Sequence, residues 1–218
     1  MISTGQLAYQ YSGGTVLRFD DVDVPQGGVL LLRGVSGSGK STWLALAAGL
    51  LAPTAGDITV AGQSLKALGQ AGGDAWRATT IGFLPQKLHL SSALTVHANL
   101  ALAQWAAGQA QDDRRIRETL TALGVHTLAQ RKPSQLSGGQ AQRVALARAV
   151  LLQPRVILAD EPTASLDDEA AQQAVALLQA TAKHQGATLV IATHDARVAA
   201  CLDAKIGFQP MSLLRSQL

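Results

Sequence analysis

Short apolar runs of strand length alternate with longer Ala- and Leu-rich segments along the chain. The runs at Gly28–Arg33, Arg155–Asp160 and Thr188–Ala192 are almost continuously apolar and lie between Gly, Pro or polar residues, which is typical of strands buried on both faces. Thr42–Leu51 and Ala141–Leu152 have helical composition instead, and the second ends before a proline. The pattern therefore predicts an α/β fold.

A second, different strand pattern occupies the N-terminal part of the chain. Leu7–Tyr11 and Val16–Phe19 flank the turn residues Ser12-Gly13-Gly14, which predicts a strand pair joined by a turn. Asp57–Val60 alternates between apolar and polar residues, as a half-exposed strand does. We expect these segments to form a small β-layer.

The interval after Ile81–Gln86 changes character and becomes helical as far as the break at Lys132-Pro133. It includes the segments Leu94–Ala107 and Asp112–Leu123, and the second carries several arginines on a face that we expect to be solvated. The sequence thus predicts a helical unit inserted between two strands.

Composition narrows the class of protein. A length of 218 residues suits one domain with an insertion, and the net charge of +3 comes from 18 basic and 15 acidic residues without a basic run. Charge therefore does not favour a nucleic-acid partner.

The single cysteine, Cys201, lies among apolar residues, where we expect a buried thiol. The N-terminus has no signal-peptide pattern, and the longest apolar run, around Leu44 to Ala52, is too short to span a membrane. Four histidines without metal-ligand spacing are predicted to lie on the surface: His89, His97, His126 and His184.

The stretch Gly34–Ser41 carries the most specific chemistry. It matches the phosphate-loop pattern G-x-x-x-x-G-K-[ST] at every required position and lies between a predicted strand and a predicted helix. Its backbone N–H groups and the helix N-terminus would surround phosphate oxygens. Lys40 would reach the β- and γ-phosphates, and the Ser41 hydroxyl would bind Mg²⁺.

Two further constellations refine this prediction. Leu136–Gln140 contains Ser-Gly-Gly at the start of a predicted helix, which favours a second anion-binding site. Asp160 and Glu161 end a predicted buried strand. This arrangement predicts that Asp160 holds a metal ion and that Glu161 acts as the general base towards water.

Together these motifs resemble those of the nucleotide-binding subunits of ATP-binding cassette (ABC) transporters, in order from about Tyr11 to Asp195. The similarity extends to a Q-loop glutamine at Gln86, a D-loop at Ser165-Leu166-Asp167 and a switch histidine at His194. It implies a RecA-like P-loop NTPase core with an N-terminal antiparallel β-layer and an inserted α-helical subdomain. We expect residues 1–85 and 136–218 to form the core with its β-layer, and residues 86–135 the helical subdomain.

The resemblance also implies the site residues, with ATP and Mg²⁺ as cofactors. His194 would hold the γ-phosphate, Gln86 would sense the metal, and Tyr11, favoured over Tyr9, would stack on adenine. The predicted catalytic residues are Glu161, His194 and Gln86, and the predicted metal ligands are Ser41, Gln86 and Asp160. The predicted nucleotide-binding residues are Tyr11, Gly34, Ser36, Gly37, Ser38, Gly39, Lys40, Ser41, Thr42, Ser137, Gly138, Gly139, Gln140 and Asp167.

Two partners are implied by the same resemblance. A second copy of the chain would bring its Ser137–Gly139 onto the ATP held by the first, making a head-to-tail dimer with two sites, and Asp167 would bridge the copies. A separate integral membrane permease would dock in a groove near Gln86, with the ATPase on the cytoplasmic face of the inner membrane.

Within the ABC family, the motifs of this chain are most similar to those of the ATPases of lipoprotein-release and macrolide-efflux systems. This resemblance implies an exporter or a lipid- or lipoprotein-extracting system. The departures are Val35, Trp43 and Ala164-Ser165, at positions where that subfamily commonly has other residues. A non-transport ABC ATPase, of the division-associated or the iron–sulfur cluster assembly type, is the alternative.

Overall fold

A computed structural model describes residues 1–68, 70–164, 166–202 and 207–210. In this part of the chain the strands form two five-stranded sheets. The strands are β1 (Ile2–Gln10), β2 (Val16–Arg18), β3 (Asp23–Val24), β4 (Val29–Arg33), β5 (Ala55–Val60), β6 (Gln63–Ser64), β7 (Ile81–Leu84), β8 (Val156–Asp160), β9 (Thr188–Thr193) and β10 (Gly207–Pro210). The helices are α1 (Lys40–Ala47), α2 (Gln70–Thr80), α3 (Val96–Ala106), α4 (Asp113–Ala122), α5 (Gly138–Val150), α6 (Asp168–Gln185) and α7 (Ala196–Cys201).

The central sheet has the strand order β10-β4-β9-β8-β7, and every pair in it is parallel. All residues of β8 and β9 are buried, which explains their continuous apolar sequences. Because successive side chains point to opposite faces, the strands supply two cores. Ile157 packs in one core, and its neighbour Leu158 packs in the other.

Helix α1 belongs to the core that also includes the β-layer, whereas α3 to α6 contribute to the core on the other face of the sheet. The side chain of Trp43 in α1 is buried there among apolar residues of both sheets. This burial accounts for a large aromatic residue directly after the phosphate-loop serine and threonine.

The N-terminal β-layer is antiparallel, with the strand order β2-β1-β5-β6 and β3 paired to β1. Ala8 pairs with Arg18 and Gln10 with Val16, so the predicted hairpin is confirmed. The pairing of β1 with β5 is irregular opposite Gly56, whose φ of +76° is in the left-handed region. A Cβ at Gly56 would lie 2.2 Å from the carbonyl oxygen of Gln6, so only glycine fits there.

The helical interval contains α3 and α4, whose ends agree with the predicted segments to within two residues. Thr95 and Asp112 cap these helices with their side chains. The Gln104 side chain accepts a hydrogen bond from the Asp112 backbone at 3.0 Å, which ties the end of α3 to the start of α4. The bounds proposed for the subdomain stay a prediction.

Several local predictions differ from the structure. Helix α1 begins at Lys40, two residues before the predicted segment, and the helices α2, α6 and α7 were not predicted. His97 is only partly exposed, contrary to the predicted surface position, and its imidazole lies 3.0 Å from the Asp113 carboxylate. Cys201 is only partly buried. Among the described residues, no helix combines the length and apolar character needed to cross a bilayer.

Candidate functional site

The carboxyl ends of four neighbouring strands assemble the candidate site. Because β4, β9, β8 and β7 are adjacent and parallel, the segments that follow them meet at one edge of the sheet. Gly34 follows β4, His194 follows β9, Glu161 follows β8, and Gln86 lies two residues beyond β7. Motifs that are up to 160 residues apart in sequence are thereby neighbours.

The phosphate loop between β4 and α1 depends on glycines in the left-handed region, with φ of +80° at Gly37 and +93° at Gly39. Gly39 leads directly into α1, so the helix N-terminus faces the loop. The Lys40 side chain is almost fully buried, and its Nζ donates to the carbonyl oxygens of Gly34 at 2.8 Å and Val35 at 3.1 Å. The lysine is therefore held across the loop.

The Glu161 carboxylate contacts three other residues of the site. Its Oε1 lies 2.8 Å from His194 Nδ1 and 3.6 Å from Lys40 Nζ, and its Oε2 accepts a hydrogen bond from Thr193 Oγ1 at 2.8 Å. Glu161 has a φ of +47°, which is strained for a residue with a side chain. Its N–H donates to the Ala192 carbonyl at 2.8 Å, which fixes this backbone against β9.

Thr193 was not predicted as a site residue from the sequence. It is fully buried and orients the carboxylate of Glu161, 32 residues away. Its position directly before the switch histidine was the only available signal in the sequence.

Asp160 lies beside this group at the buried end of β8. Burial raises the pKa of its carboxyl, while the hydroxyl of Ser41 opposes the shift and the charge of Glu161 adds to it. Within the described residues, Asp160 Oδ1 and Ser38 Oγ are buried without a hydrogen-bond partner. A buried carboxylate oxygen without a donor is the kind of atom that a cation satisfies.

An open pocket of about 450 Å³ lies over the phosphate loop and Glu161. It is lined by the phosphate loop and start of α1, together with Gln86, Glu161, His194 and Tyr11. Tyr11 is 49% exposed, and its hydroxyl lies 3.0 Å from Thr42 Oγ1. Tyr9 is absent from this lining, and its ring meets that of Tyr11 edge-on, with 4.7 Å between centroids. The hairpin residues Gly14, Thr15 and Leu17 also line the pocket and were not predicted.

The predicted signature residues lie outside this pocket lining. Ser137 Oγ accepts from the Gln140 N–H at 3.3 Å, and Gln140 Oε1 accepts from the Ser137 N–H at 3.0 Å, so the two residues form a capping box at the start of α5. Gly139 lines a separate cavity between α5 and α6. In the predicted D-loop, the Asp167 carboxylate accepts from the Ala170 N–H at 2.8 Å and caps α6, and Ser165 lies outside the described residues.

A parallel sheet, a phosphate loop after one strand and an Asp-Glu pair after another define a P-loop nucleotide-binding protein. Residues 17–164 match the family described as "ABC transporter". The chain belongs to this family, and the resemblance found in its sequence is confirmed. It is an ATP-binding subunit of the ABC type with ATPase activity, and the predicted fold class is likewise confirmed.

The relatives include transport ATPases and a solved cassette. The chain is 39% identical to the lipoprotein-releasing system ATP-binding protein LolD of Chromohalobacter salexigens, covering 87% of this chain and 81% of that protein. It is 40% identical to the macrolide export ATP-binding/permease protein MacB 1/2 of Paracoccus denitrificans, covering 87% of this chain and 29% of that longer protein. The dimeric structure of MJ0796, a bacterial ABC transporter cassette, is 30% identical with a TM-score of 0.83, and each chain is covered over 100% of its length.

Proposed function

We propose that two copies of this chain close head to tail on two ATP molecules and that hydrolysis drives a separate membrane permease. One observation carries the proposal. Lys40, Glu161, His194 and Gln86 surround one open pocket, whereas Ser137, at the start of α5, lies outside its lining. A second copy could supply the missing N-terminus of α5 to the phosphates. The dimeric state of MJ0796 supports this arrangement.

Within each site, Glu161 would accept a proton from the attacking water. Its hydrogen bond from Thr193 and its contact with His194 hold the carboxylate in one orientation, as a general base requires. Once ATP is bound, its phosphate oxygens would replace the loop carbonyls as acceptors for Lys40, and His194 would contact the γ-phosphate. The positioned base and these contacts with the phosphates would supply most of the catalysis.

The residues around Asp160 fit Mg²⁺. The unpaired, buried Oδ1 of Asp160 and the hydroxyl of Ser41 are hard oxygen donors, and Gln86, which lines the pocket together with Ser41, adds an amide oxygen. A bound Mg²⁺ would neutralise charge on the phosphates. The negative field of Asp160 and Glu161 would attract that cation before catalysis.

Adenine would stack on Tyr11. This ring is half exposed at the pocket, and its hydroxyl contact with Thr42 anchors it beside the phosphate loop. Tyr9 would act indirectly, through its edge-on contact with the Tyr11 ring.

The permease would dock in a groove of about 470 Å³ that lies off the edge of β7. Phe83, three residues before Gln86, lines this groove with Ala103 and Ala106 of α3, and Arg148 lines it as well. Trp105, the residue before Ala106 in α3, is 75% exposed and is not among the residues that line the groove. A short amphipathic helix of the permease would bury this apolar surface and leave its polar side near Arg148. The ATPase would then lie on the cytoplasmic face of the inner membrane.

Relatives that act in lipoprotein release and macrolide export support export or extraction from the membrane as the direction of transport. In this proposal the cargo is recognised by the permease.

Separate experiments test the two proposed partners, the second copy of the chain and the permease. The Glu161→Gln variant should form an ATP-dependent dimer in light scattering after gel filtration, and adding Ser137→Arg should abolish that dimer. Ala106→Arg should reduce co-purification with the co-expressed membrane permease by at least about tenfold, since it fills the groove. Ala110→Arg, which adds the same side chain at an exposed position outside the groove lining, is the matched control. Unchanged co-purification with Ala106→Arg would rule out this docking site, and a monomeric Glu161→Gln variant in ATP would rule out the dimer.

A further inference from the structure

Arg197, in the first turn of α7, joins three segments that surround the candidate site. Its Nε and Nη2 donate to the Asp195 carboxylate at 3.0 and 2.8 Å. Its Nη1 donates to Asp168 Oδ1 at 2.6 Å and to the Leu166 carbonyl oxygen at 3.3 Å. One guanidinium therefore contacts the segment after β9, the predicted D-loop and the start of α6.

Asp195 continues this network to the catalytic carboxylate. Its Oδ2 accepts a hydrogen bond from Thr163 Oγ1 at 2.7 Å, and its N–H donates to Thr193 Oγ1 at 3.0 Å. Thr193 in turn donates to Glu161 at 2.8 Å. The Arg197 guanidinium holds the pKa of the Asp195 carboxyl well below its ordinary value, and burial opposes this only in part. The pair is therefore ionised throughout the neutral pH range.

We infer that Arg197 is a positioning residue for ATP hydrolysis, which fixes the distance between the D-loop and the switch segment at His194-Asp195. The inference rests on the roles proposed above for Glu161 and His194. The Leu166 carbonyl directly precedes Asp167, the residue predicted to bridge the two copies, so Arg197 also connects the site of one copy to the proposed dimer interface. The planar guanidinium can meet three acceptors at once, whereas a lysine ammonium is a single point of charge.

The exposure of the side chains around Arg197 distinguishes a positioning role in catalysis from a role in stabilising the fold. The side chains of Arg197 and Asp168 are 38% and 85% exposed, and an ion pair at such positions adds little to stability. Asp195 is only 15% exposed, but without Arg197 it would keep its hydrogen bond from Thr163. Loss of Arg197 should therefore leave the fold and the ATP affinity in place while the reacting groups lose alignment. Small misplacements of this kind can cost up to about 10²-fold in rate.

The test is steady-state ATP hydrolysis, with kcat and KM measured separately, for the protein in the assembly in which it is active. Arg197→Ala should lower kcat about tenfold and leave KM for ATP within about twofold, because the pocket lining is unchanged. Arg197→Lys should recover less than half of the loss. Asp168→Asn removes the negative charge from one contact and should lower kcat about threefold. The double variant Asp168→Asn, Arg197→Ala should be no worse than Arg197→Ala alone.

Two controls complete the design. Arg114→Ala removes a surface arginine that is paired with Glu118 at 2.8 Å, and it should keep the parent kcat. The double variant Glu161→Gln, Arg197→Ala should still dimerise with ATP. The inference is overturned if Arg197→Ala keeps kcat within about twofold, or if KM or ATP-driven dimerisation changes as much as kcat does. If Arg197→Ala does not fold, a parent-like kcat for Asp168→Asn overturns it. Failure of the proposed site is seen separately, as a near-parent rate for Glu161→Gln alone.

Discussion

His194 Nδ1 lies 2.8 Å from Glu161 Oε1, so the residue after β9 touches the residue after β8. The two strands are adjacent, with Asp160 opposite Ala192, and this register places both side chains over the same pocket. The histidine is largely exposed whereas the glutamate is not. The carboxylate is thus fixed from below by Thr193, and the imidazole is free to meet a ligand from the solvent side.

From this geometry we expect Glu161→Gln to lower ATP turnover by at least about 10²-fold while ATP still binds, because the amide cannot accept the proton of water. Single-turnover hydrolysis and nucleotide titration would measure the two effects separately. Lys40→Ala is the contrasting variant, and it should lose nucleotide binding because it removes the buried cation of the loop. Single-turnover hydrolysis by Glu161→Gln at nearly the parent rate would show that Glu161 is not the base.

The proposed stacking of adenine provides a second prediction. Tyr11→Ala should weaken ATP binding by about 1–3 kcal/mol if one aromatic ring stacks on adenine, by analogy with base stacking in nucleic-acid proteins. Tyr9→Ala should have a much smaller effect, since this ring is absent from the pocket lining. Tyr11→Phe keeps the ring and loses the contact with Thr42, so it should bind nearly as the parent does. Equal effects of the two alanine variants in nucleotide titration would refute the choice of Tyr11.

Much of this site could be predicted because its motifs are local. The phosphate loop needs glycines at fixed positions, and the apolar strand before Asp160 and Glu161 is continuous, so each piece is visible within about ten residues. Contacts such as Thr193 with Glu161 or Arg197 with Asp168 could not be predicted, because they depend on which strands become neighbours. The positive φ of Glu161 is likewise imposed by tertiary contacts, against the preference of the residue.

Whether a helix could be predicted depended in the same way on signals in its own sequence. The segment of α3 was predicted from its helical composition, and in the structure Thr95 caps the helix with its side chain. Helix α2 was not predicted because it contains Gly72 and Gly73 and has few apolar residues. Its position depends instead on Arg77, which donates to the carbonyl oxygens at the end of α1. Such a helix forms through tertiary contacts more than through its own propensity.

A pair of glycine substitutions tests the packing below the site. A Cβ at Gly82 in β7 would lie 2.5 Å from the Ala149 carbonyl oxygen and 2.8 Å from Pro154 Cγ. Gly82→Ala should therefore lower the free energy of unfolding by about 1–3 kcal/mol, as overpacked cores do. Gly73→Ala, in α2, meets no atom within 4 Å and should raise it by about 0.5–1 kcal/mol. Denaturant titration measures both, and a parent-like midpoint for Gly82→Ala would contradict the close packing of β7 on α5.

The last prediction concerns whether each ATP site is shared between two copies. Lys40→Ala and Ser137→Arg should each be inactive as homodimers, because every site then contains one damaged half. In a mixed dimer of the two variants, one site combines both damaged halves, and the other combines intact Lys40 with intact Ser137. Mixing the two proteins, in the presence of the permease, should therefore recover part of the ATPase activity, provided that one site turns over without its twin.

The control carries both substitutions on one chain and pairs that chain with the parent. In a head-to-tail dimer each of its two sites then has one damaged half, so heterodimers isolated through two different tags should be inactive. If the phosphate loop and Ser137 instead acted within one chain, the parent copy would keep a complete site and these heterodimers would hydrolyse ATP. Activity in this control would exclude the shared site, since Ser137 could then serve the phosphate loop of its own chain.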